Sequence, residues 1–349
     1  MHVSLIVPAP LDAVTGGYGY DRRIISGLRA LGHAVGVVEL PGRYPITDSI
    51  ARDAACAAWD NVPVSSVPVI DGLGLPAFAG MDDALSARLA VGLIHHPLAL
   101  ETGLAEAERT ALHNLELRLF NRMSRLIVTS EFTAENLTAR FGVERTRIAV
   151  VTPGTDDAPR SGGSTGGGCE ILSVGSLIPR KGHDLLIRAL ARLFDLDWHL
   201  TIAGSPDRDP AHAAELMGLP RELGIGSRVR FAGEVTGARL ETLWQAADIF
   251  ALATHFEGYG MAVAEALKRG LPVAITAGGA AGALVPPEAG VVCPPGDRDQ
   301  LSKALRRLIF GRDLRREMSG GAWRIGQALP AWDTQAALFA QSLGPPSGG

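Results

Sequence analysis

The stretch "THFEGYGMAVAEALKRGLPV", residues 254–273, holds two carboxylates, Glu257 and Glu265, with seven residues between them in a run otherwise made mostly of glycines and small apolar side chains. The apolar run "IFALATHF" before it reads as a buried strand, and "AVAEALKRG" after it has helical spacing with Gly270 as a stop. That makes "EGYG" a strand-to-helix turn at the carboxyl edge of a sheet. Gly258 and Gly260 let backbone N–H groups approach a ligand without interference from Cβ, and the helix N-terminus behind them favours an anion such as phosphate. Glu265, about a turn and a half into the helix, is a hydrogen-bond acceptor in need of donors, which sugar hydroxyls supply. Two acceptors around a phosphate cradle suggest a nucleotide sugar as ligand, one glutamate for the sugar ring and one for the ribose.

Such a turn needs a sheet to carry it. Short apolar runs alternate with amphipathic helical segments along the whole chain: "HVSLIV", "AVGVVEL", "GLIHH", "RLIVTS" and "RIAVVTP" in the first half, then "EILSVGSL", "WHLTIAG", "VRFAG", "IFALATHF", "PVAIT" and "GVVCPP". Continuous apolar strands separated by helices predict parallel sheets covered on both faces. The Gly/Ser/Pro-rich segment "DDAPRSGGSTGGG" breaks the rhythm and reads as a flexible linker. The predicted organisation is a first α/β domain over 1–156, a linker over 157–168, a second α/β domain over 169–327, and a closing helix over about 328–344. Ligands of doubly wound domains bind at the carboxyl ends of the strands, here in a cleft that two such domains would leave between them. The tail "GPPSGG" is expected to lack structure.

The balance of 33 basic against 37 acidic residues, a formal charge of −4, leaves no electrostatic footprint for nucleic acid. Cys56, Cys169 and Cys293 are far apart and form no C-x-x-C pair, which suits a reducing compartment and argues against a disulfide framework or a zinc site. No apolar run reaches the roughly 18 residues needed to cross a bilayer, and "MHVSLIVPAP" reads as a first strand rather than a signal peptide. The cytoplasm is the expected location. Arg118, Arg122 and Arg125, at i, i+4 and i+7 of an expected helix, read first as a solvated helix face, with peripheral contact with a membrane as the alternative, since lipid-binding clusters usually hold four basic residues or more.

"EGYGMAVAE" resembles the E-x(7)-E signature of retaining glycosyltransferases with the GT-B fold, in particular glycosyltransferase family 4. "VGSLIPRKGHDLLIRAL" is similar to that family's strand-loop-helix holding the donor diphosphate, which implies the role for Gly175, Arg180 and Lys181. "TGGYGYDRRIISGLRALGHAV" resembles the glycine-rich loop that approaches the donor phosphates from the other domain, carrying that role to Gly16 and Gly17. The resemblance assigns the transferred sugar to Glu257 and the ribose to Glu265, with Gly258, Tyr259, Gly260 and Met261 completing the donor turn. It also implies a histidine after a strand of the acceptor domain. "GLIHHPL" offers His95 and His96, of which His95 directly follows the apolar run. The closing "AWDTQAALF" is similar to the family's final helix, which returns to the first domain. The sequence departs from the family at "GGAAGAL", where Gly282 stands in a position that is often acidic, and in the segment before the histidine strand, which keeps only Asp71.

The resemblance implies a retaining hexosyl transfer from a nucleoside diphosphate sugar, most often a UDP-sugar, to a hydroxyl of a glycan, lipid or small molecule. The implied mechanism is a front-face displacement with His95, Glu257, Arg180 and Lys181 at its centre, and no cofactor. The chain shows no D-x-D element, so no metal is expected. A sugar-nucleotide epimerase of the same architecture and a non-catalytic sugar-nucleotide binding protein are the alternatives. A dinucleotide-dependent dehydrogenase is disfavoured because no G-x-G-x-x-G follows the first strand.

Overall fold

The computed structural model describes residues 1–101 and 103–344, so the tail beyond Gly344 lies outside the described residues. The chain divides into two compact units: Met1–Gly154 with the segment that begins at Pro330, and Thr155–Leu329.

Unit 1 is built on six parallel strands, β1 (His2–Pro8), β2 (Ala34–Leu40), β3 (Val67–Asp71), β4 (Val91–Ile94), β5 (Arg125–Val128) and β6 (Ile148–Val150), in the order β2-β1-β3-β4-β5-β6. The connecting helices are α1 (Gly16–Ala30), α2 (Ser49–Asn61), α3 (Asp82–Ala87), α4 (Glu106–Arg122) and α5 (Glu131–Phe141). Ile6, Ile70, Ile94 and Val128 are fully buried, one from each of four adjacent strands, so the core runs across the sheet.

Unit 2 repeats the scheme with β7 (Cys169–Val174), α6 (His183–Leu190), β8 (Trp198–Ala203), α7 (Pro210–Glu222), β9 (Val229–Gly233), α8 (Gly237–Ala246), β10 (Ile249–Leu252), α9 (Met261–Lys268), β11 (Val273–Thr276), β12 (Gly290–Cys293), α10 (Arg298–Phe310) and α11 (Arg312–Ala328). Its strands are all parallel, in the order β12-β11-β10-β7-β8-β9. The last helix, α12 (Trp332–Ser342), belongs to unit 1 and packs on α1, with Tyr20 edge-on to Trp332 at 5.9 Å between ring centroids. These are two Rossmann-like α/β units, the composition of the GT-B fold.

Four expectations from the sequence change. β3 was not anticipated, because Pro63 and Pro68 punctuate "VPVSSVPVID" and hide its apolar run. Gly16 and Gly17 do not form a loop: they make the first turn of α1, capped by the Thr15 hydroxyl, which accepts from the Tyr18 N–H. Arg118, Arg122 and Arg125 do not share a helix face, since α4 ends at Arg122 and Arg125 opens β5, where its guanidinium donates to the Ser342 carbonyl at 2.9 Å. Residues 157–168 are irregular but anchored to unit 2. The Ser161 N–H donates to the Arg269 carbonyl, the Gly163 N–H to that of Gln245, and the Ser164 N–H to Asp248. Among the described residues no helix is long and apolar enough to cross a membrane.

Candidate functional site

Strand order determines where each unit can hold a ligand. In unit 1 the chain moves outward from β1 to β2, then returns to the other side of β1 with β3; in unit 2 it runs β7-β8-β9 and then returns beside β7 with β10. The loops at such a reversal diverge to opposite faces and leave a crevice at the carboxyl ends of the two strands. Each unit places a cluster of ionisable side chains at or near the carboxyl ends of these strands.

The unit 2 cluster forms between the segment after β7 and the segment after β10. Arg180 and Lys181 lie in a single 3-10 turn, Pro179–Lys181, ahead of α6. Lys181 Nζ donates to Glu257 Oε1 at 2.6 Å, and Arg180 lies 3.6 Å from the same oxygen while donating to the Phe256 carbonyl at 2.7 Å. The Thr254 hydroxyl is 3.1 Å from Oε1 as well. All these contacts fall on one carboxylate oxygen, which leaves Oε2 without a partner among the described residues. Glu257 is buried, and burial alone would raise its pKa. The charges of Lys181 and then Arg180 outweigh the effect of burial and hold it below the ordinary carboxylate value.

The backbone around Glu257 is fixed from a third segment. The Glu257 N–H donates to the Gly278 carbonyl and the Ala280 N–H to the Glu257 carbonyl, a one-residue parallel bridge at Gly279. Gly279 has φ +74°, and a Cβ there would lie 2.2 Å from the Glu257 carbonyl oxygen, so only glycine fits. This gives "GGAAGAL" a structural role that does not require an acidic residue at Gly282. Gly258 and the buried Tyr259 continue the turn, and Gly260, at φ +106°, caps α9, whose first residue is Met261. Glu265 sits in the second turn of α9, half-buried.

Gly175, just beyond β7, packs against the Lys181 stem: a Cβ would meet its methylenes at 3.1 Å. Its carbonyl lies 3.1 Å from His183 Nε2, a fully buried ring whose pKa burial lowers to about 4. His183 is therefore neutral at pH 7, and its Nε2–H holds the strand end in place. Sequence reasoning did not select His183, although a histidine two residues beyond Lys181 at the start of a helix was visible.

The unit 1 cluster gathers His95, which directly follows β4, with Asp71, the last residue of β3, and Asp21 on α1. His95 Nε2 lies 3.1 Å from Asp21 Oδ1 and 3.2 Å from Asp71 Oδ2. The ring stands edge-on to Tyr20 at 5.3 Å, and the His95 carbonyl accepts from the Thr129 hydroxyl. Gly17 lies alongside, where a Cβ would reach the imidazole at 3.4 Å. His96 turns away and pairs with Glu101 at 2.6 Å. The turn after the two histidines is held by the buried carboxylate of Glu116, which accepts from the Leu98 and Ala99 N–H groups at 2.6 and 2.9 Å. Asp21, Asp71 and His95 bring their ligand-type atoms within 4.8 Å of one another and are the one set among the described residues that could hold a metal ion. Asp21 was not anticipated. Its signal was a charged residue in register with the apolar face of α1, ahead of Ile24, Ile25 and Leu28.

Comparison with known proteins bears on the family and the fold. Residues 155–322 match the sequence model of Glycosyl transferases group 1, and residues 72–158 that of Glycosyltransferase Family 4. A D-inositol 3-phosphate glycosyltransferase of Actinosynnema mirum is 30% identical over 272 residues, which is 70% of this chain and 65% of that protein. The corresponding enzyme of Thermomonospora curvata is 31% identical over 60% of this chain and 54% of its own length. The chain thus spans about half to two thirds of the length of the curated relatives it matches. Among solved structures, sucrose-phosphate synthase from Thermosynechococcus elongatus superposes with a TM-score of 0.80 at 19% identity, over 97% of this chain and 98% of that one. HepE from Anabaena, in complex with UDP-glucose, gives 0.76 at 17% identity over 98% and 99%. Two Rossmann-like units and adjoining matches to two glycosyltransferase models, which together run from residue 72 to 322, place this chain among the GT-B glycosyltransferases.

Proposed function

We propose that the chain transfers a hexosyl group from a nucleoside diphosphate sugar, with a UDP-sugar as the favoured donor, to a hydroxyl of a glycan, lipid or small molecule, with retention at the anomeric carbon. The observation that carries this reading is the Arg180–Lys181–Glu257 cluster at the reversal point of the unit that matches the group 1 model. Two cations stand beside a glycine turn and a helix N-terminus, an environment suited to a diphosphate.

In this reading Arg180 and Lys181 bind the diphosphate, and Arg180 can engage two phosphate oxygens at once. The free Oε2 of Glu257 accepts from a hydroxyl of the transferred sugar, and Glu265 accepts from the ribose. The bond between the anomeric carbon and the phosphate oxygen breaks, the acceptor oxygen bonds to that carbon on the same face, and the acceptor proton passes to the departing phosphate. Negative charge grows on the diphosphate as the bond breaks, so fixed cations act on the transition state more than on the ground state. Lys181 and Arg180 supply that charge without a metal. His95 in unit 1 serves the sugar or the incoming hydroxyl.

A thermal-shift screen against UDP, GDP and ADP and their hexose derivatives tests the reading, since a ligand of the folded state raises its apparent stability. Stabilisation by UDP or a UDP-hexose is the expected outcome. A chain indifferent to all these nucleotides would overturn the proposal.

A further inference from the structure

His95 meets two carboxylates through one nitrogen. Nε2 carries at most one hydrogen, yet it lies within hydrogen-bond distance of Asp21 Oδ1 and Asp71 Oδ2 together. Asp21 is fully buried and Asp71 is 2% exposed, so neither charge has water to solvate it. Asp21 Oδ2 has no hydrogen-bond partner among the described residues. Two buried carboxylates converging on one point repel strongly unless a cation stands between them. The neighbouring Arg22 extends to the Leu11 and Ala13 carbonyls instead, and the buried Tyr20 hydroxyl is committed to the Val151 carbonyl. The imidazole is the group placed to supply the positive charge. With Nε2 occupied, Nδ1 is the polar atom of the ring without a partner among the described residues, on a side chain that is 20% exposed.

We propose that Asp21 and Asp71 are positioning residues that hold His95 as an imidazolium, so that its Nδ1–H acts as a charged hydrogen-bond donor to an oxygen of the sugar or acceptor and the ring never serves as a base. This rests on the reading that His95 works in glycosyl transfer. The electrostatics agree in direction. Burial would depress the His95 pKa, but the charges and hydrogen bonds of Asp21 and Asp71 outweigh it and raise it to about 10. Burial raises Asp21 to about 6 against the opposing charge of His95. The Asp21–His95 ion pair is thus intact between about pH 6 and about pH 10, and at lower pH it loses its carboxylate first.

Imidazole ring resonances of the full-length protein, labelled with 15N-histidine, read this without substrate; His95→Gln assigns the signals. The wild-type His95 ring should stay protonated from pH 6 to about pH 8 and begin to titrate only above that. Asp71→Asn should lower its pKa by at least about one unit, Asp21→Asn by more, and Asp71→Glu should restore much of the shift. In the same variants the alkaline limb of kcat/KM should move down with the ring pKa, which a merely structural role would not produce. If Asp21→Asn fails to fold by circular dichroism, Asp71→Asn decides alone. A wild-type ring that titrates near its ordinary value, or no shift in Asp71→Asn, would overturn the proposal. So would a stoichiometric Zn²⁺ or Mn²⁺ that the wild type binds and Asp71→Asn does not, because a metal would then be the cation between the carboxylates. The ring titration stands apart from the nucleotide screen, so failure of either is recognisable.

Discussion

The two units carry clusters of opposite make-up near the strand reversal of sheets that differ in strand order. In unit 1 two carboxylates, Asp21 and Asp71, surround one histidine; in unit 2 two cations, Arg180 and Lys181, surround one carboxylate, Glu257. Acidic side chains are in the majority in the first and basic side chains in the second. The strand reversal supplies a ligand crevice in either unit, and the side chains placed there decide what it can receive. A diphosphate suits only the second. The first suits a group that accepts a hydrogen bond from a fixed cation, such as a sugar or acceptor oxygen.

The sharpest way to break this contrast is to remove the cation that Glu257 depends on. Lys181→Ala leaves a buried carboxylate with Arg180 at 3.6 Å as its remaining charged partner. Loss of one member of a buried pair costs about 3–5 kcal/mol, so chemical denaturation should show a large fall in stability. Adding Glu257→Gln should recover a good part of it, because the stranded charge is then gone. Strict additivity of the two changes in a double-mutant cycle would show that the pair is not coupled.

A smaller loss is expected from Gly279→Ala, which forces a left-handed backbone on alanine and drives its Cβ into the Glu257 carbonyl. Strain of this kind costs about 1–3 kcal/mol. Donor turnover should fall with it, since the same contact fixes the Glu257 turn. A variant of wild-type stability and activity would mean that the bridge at Gly279 does not support the site.

Acid also separates the clusters. Glu257 has a folded-state pKa below its ordinary 4.5, so its stabilising contribution is present above that value and is lost as pH falls through the folded one. Glu257→Gln should therefore flatten the acid limb of the stability curve below about pH 4.5. An unchanged limb would remove Glu257 as its source.

Glu265→Gln should weaken binding of the bare nucleoside diphosphate by about 1–3 kcal/mol and leave folding stability near wild type. Equal affinity in the variant by calorimetry would take Glu265 out of the ribose site. The smallest effect belongs to Thr254→Val, which removes one neutral donor near Glu257 Oε1 for about 1 kcal/mol.

The unequal legibility of the two clusters has a physical basis. The unit 2 site is written in short contiguous segments, "IPRKG" after β7 and "EGYG" after β10, each a strand-end turn with its own local signature. What those segments did not disclose is that Lys181 and Glu257 meet each other, because the sheet pairing of β10 with β7 brings them together. The unit 1 site comes from three distant points of the chain. Asp21 lies inside an amphipathic helix, and Asp71 ends a strand concealed by Pro68, so neither spacing nor composition singled them out. Gly16 and Gly17 read as a loop through the family resemblance, whereas the Thr15 cap turns them into the start of α1, with Gly17 beside His95. Parallel sheets and their helices were legible from apolar periodicity, whereas the return of the last helix was implied by the family resemblance.

The central claim is that the positive cluster of unit 2, rather than a metal, holds the diphosphate. Calorimetric titration with UDP in the presence of EDTA tests it most directly, on the wild type, on Arg180→Ala/Lys181→Ala checked for folding by circular dichroism, and on His95→Ala. The account predicts that UDP binds the wild type in EDTA, binds His95→Ala equally well, and binds the double variant far more weakly. UDP binding that vanishes in EDTA and returns with Mg²⁺ or Mn²⁺, or that survives loss of both cations unchanged, would contradict it.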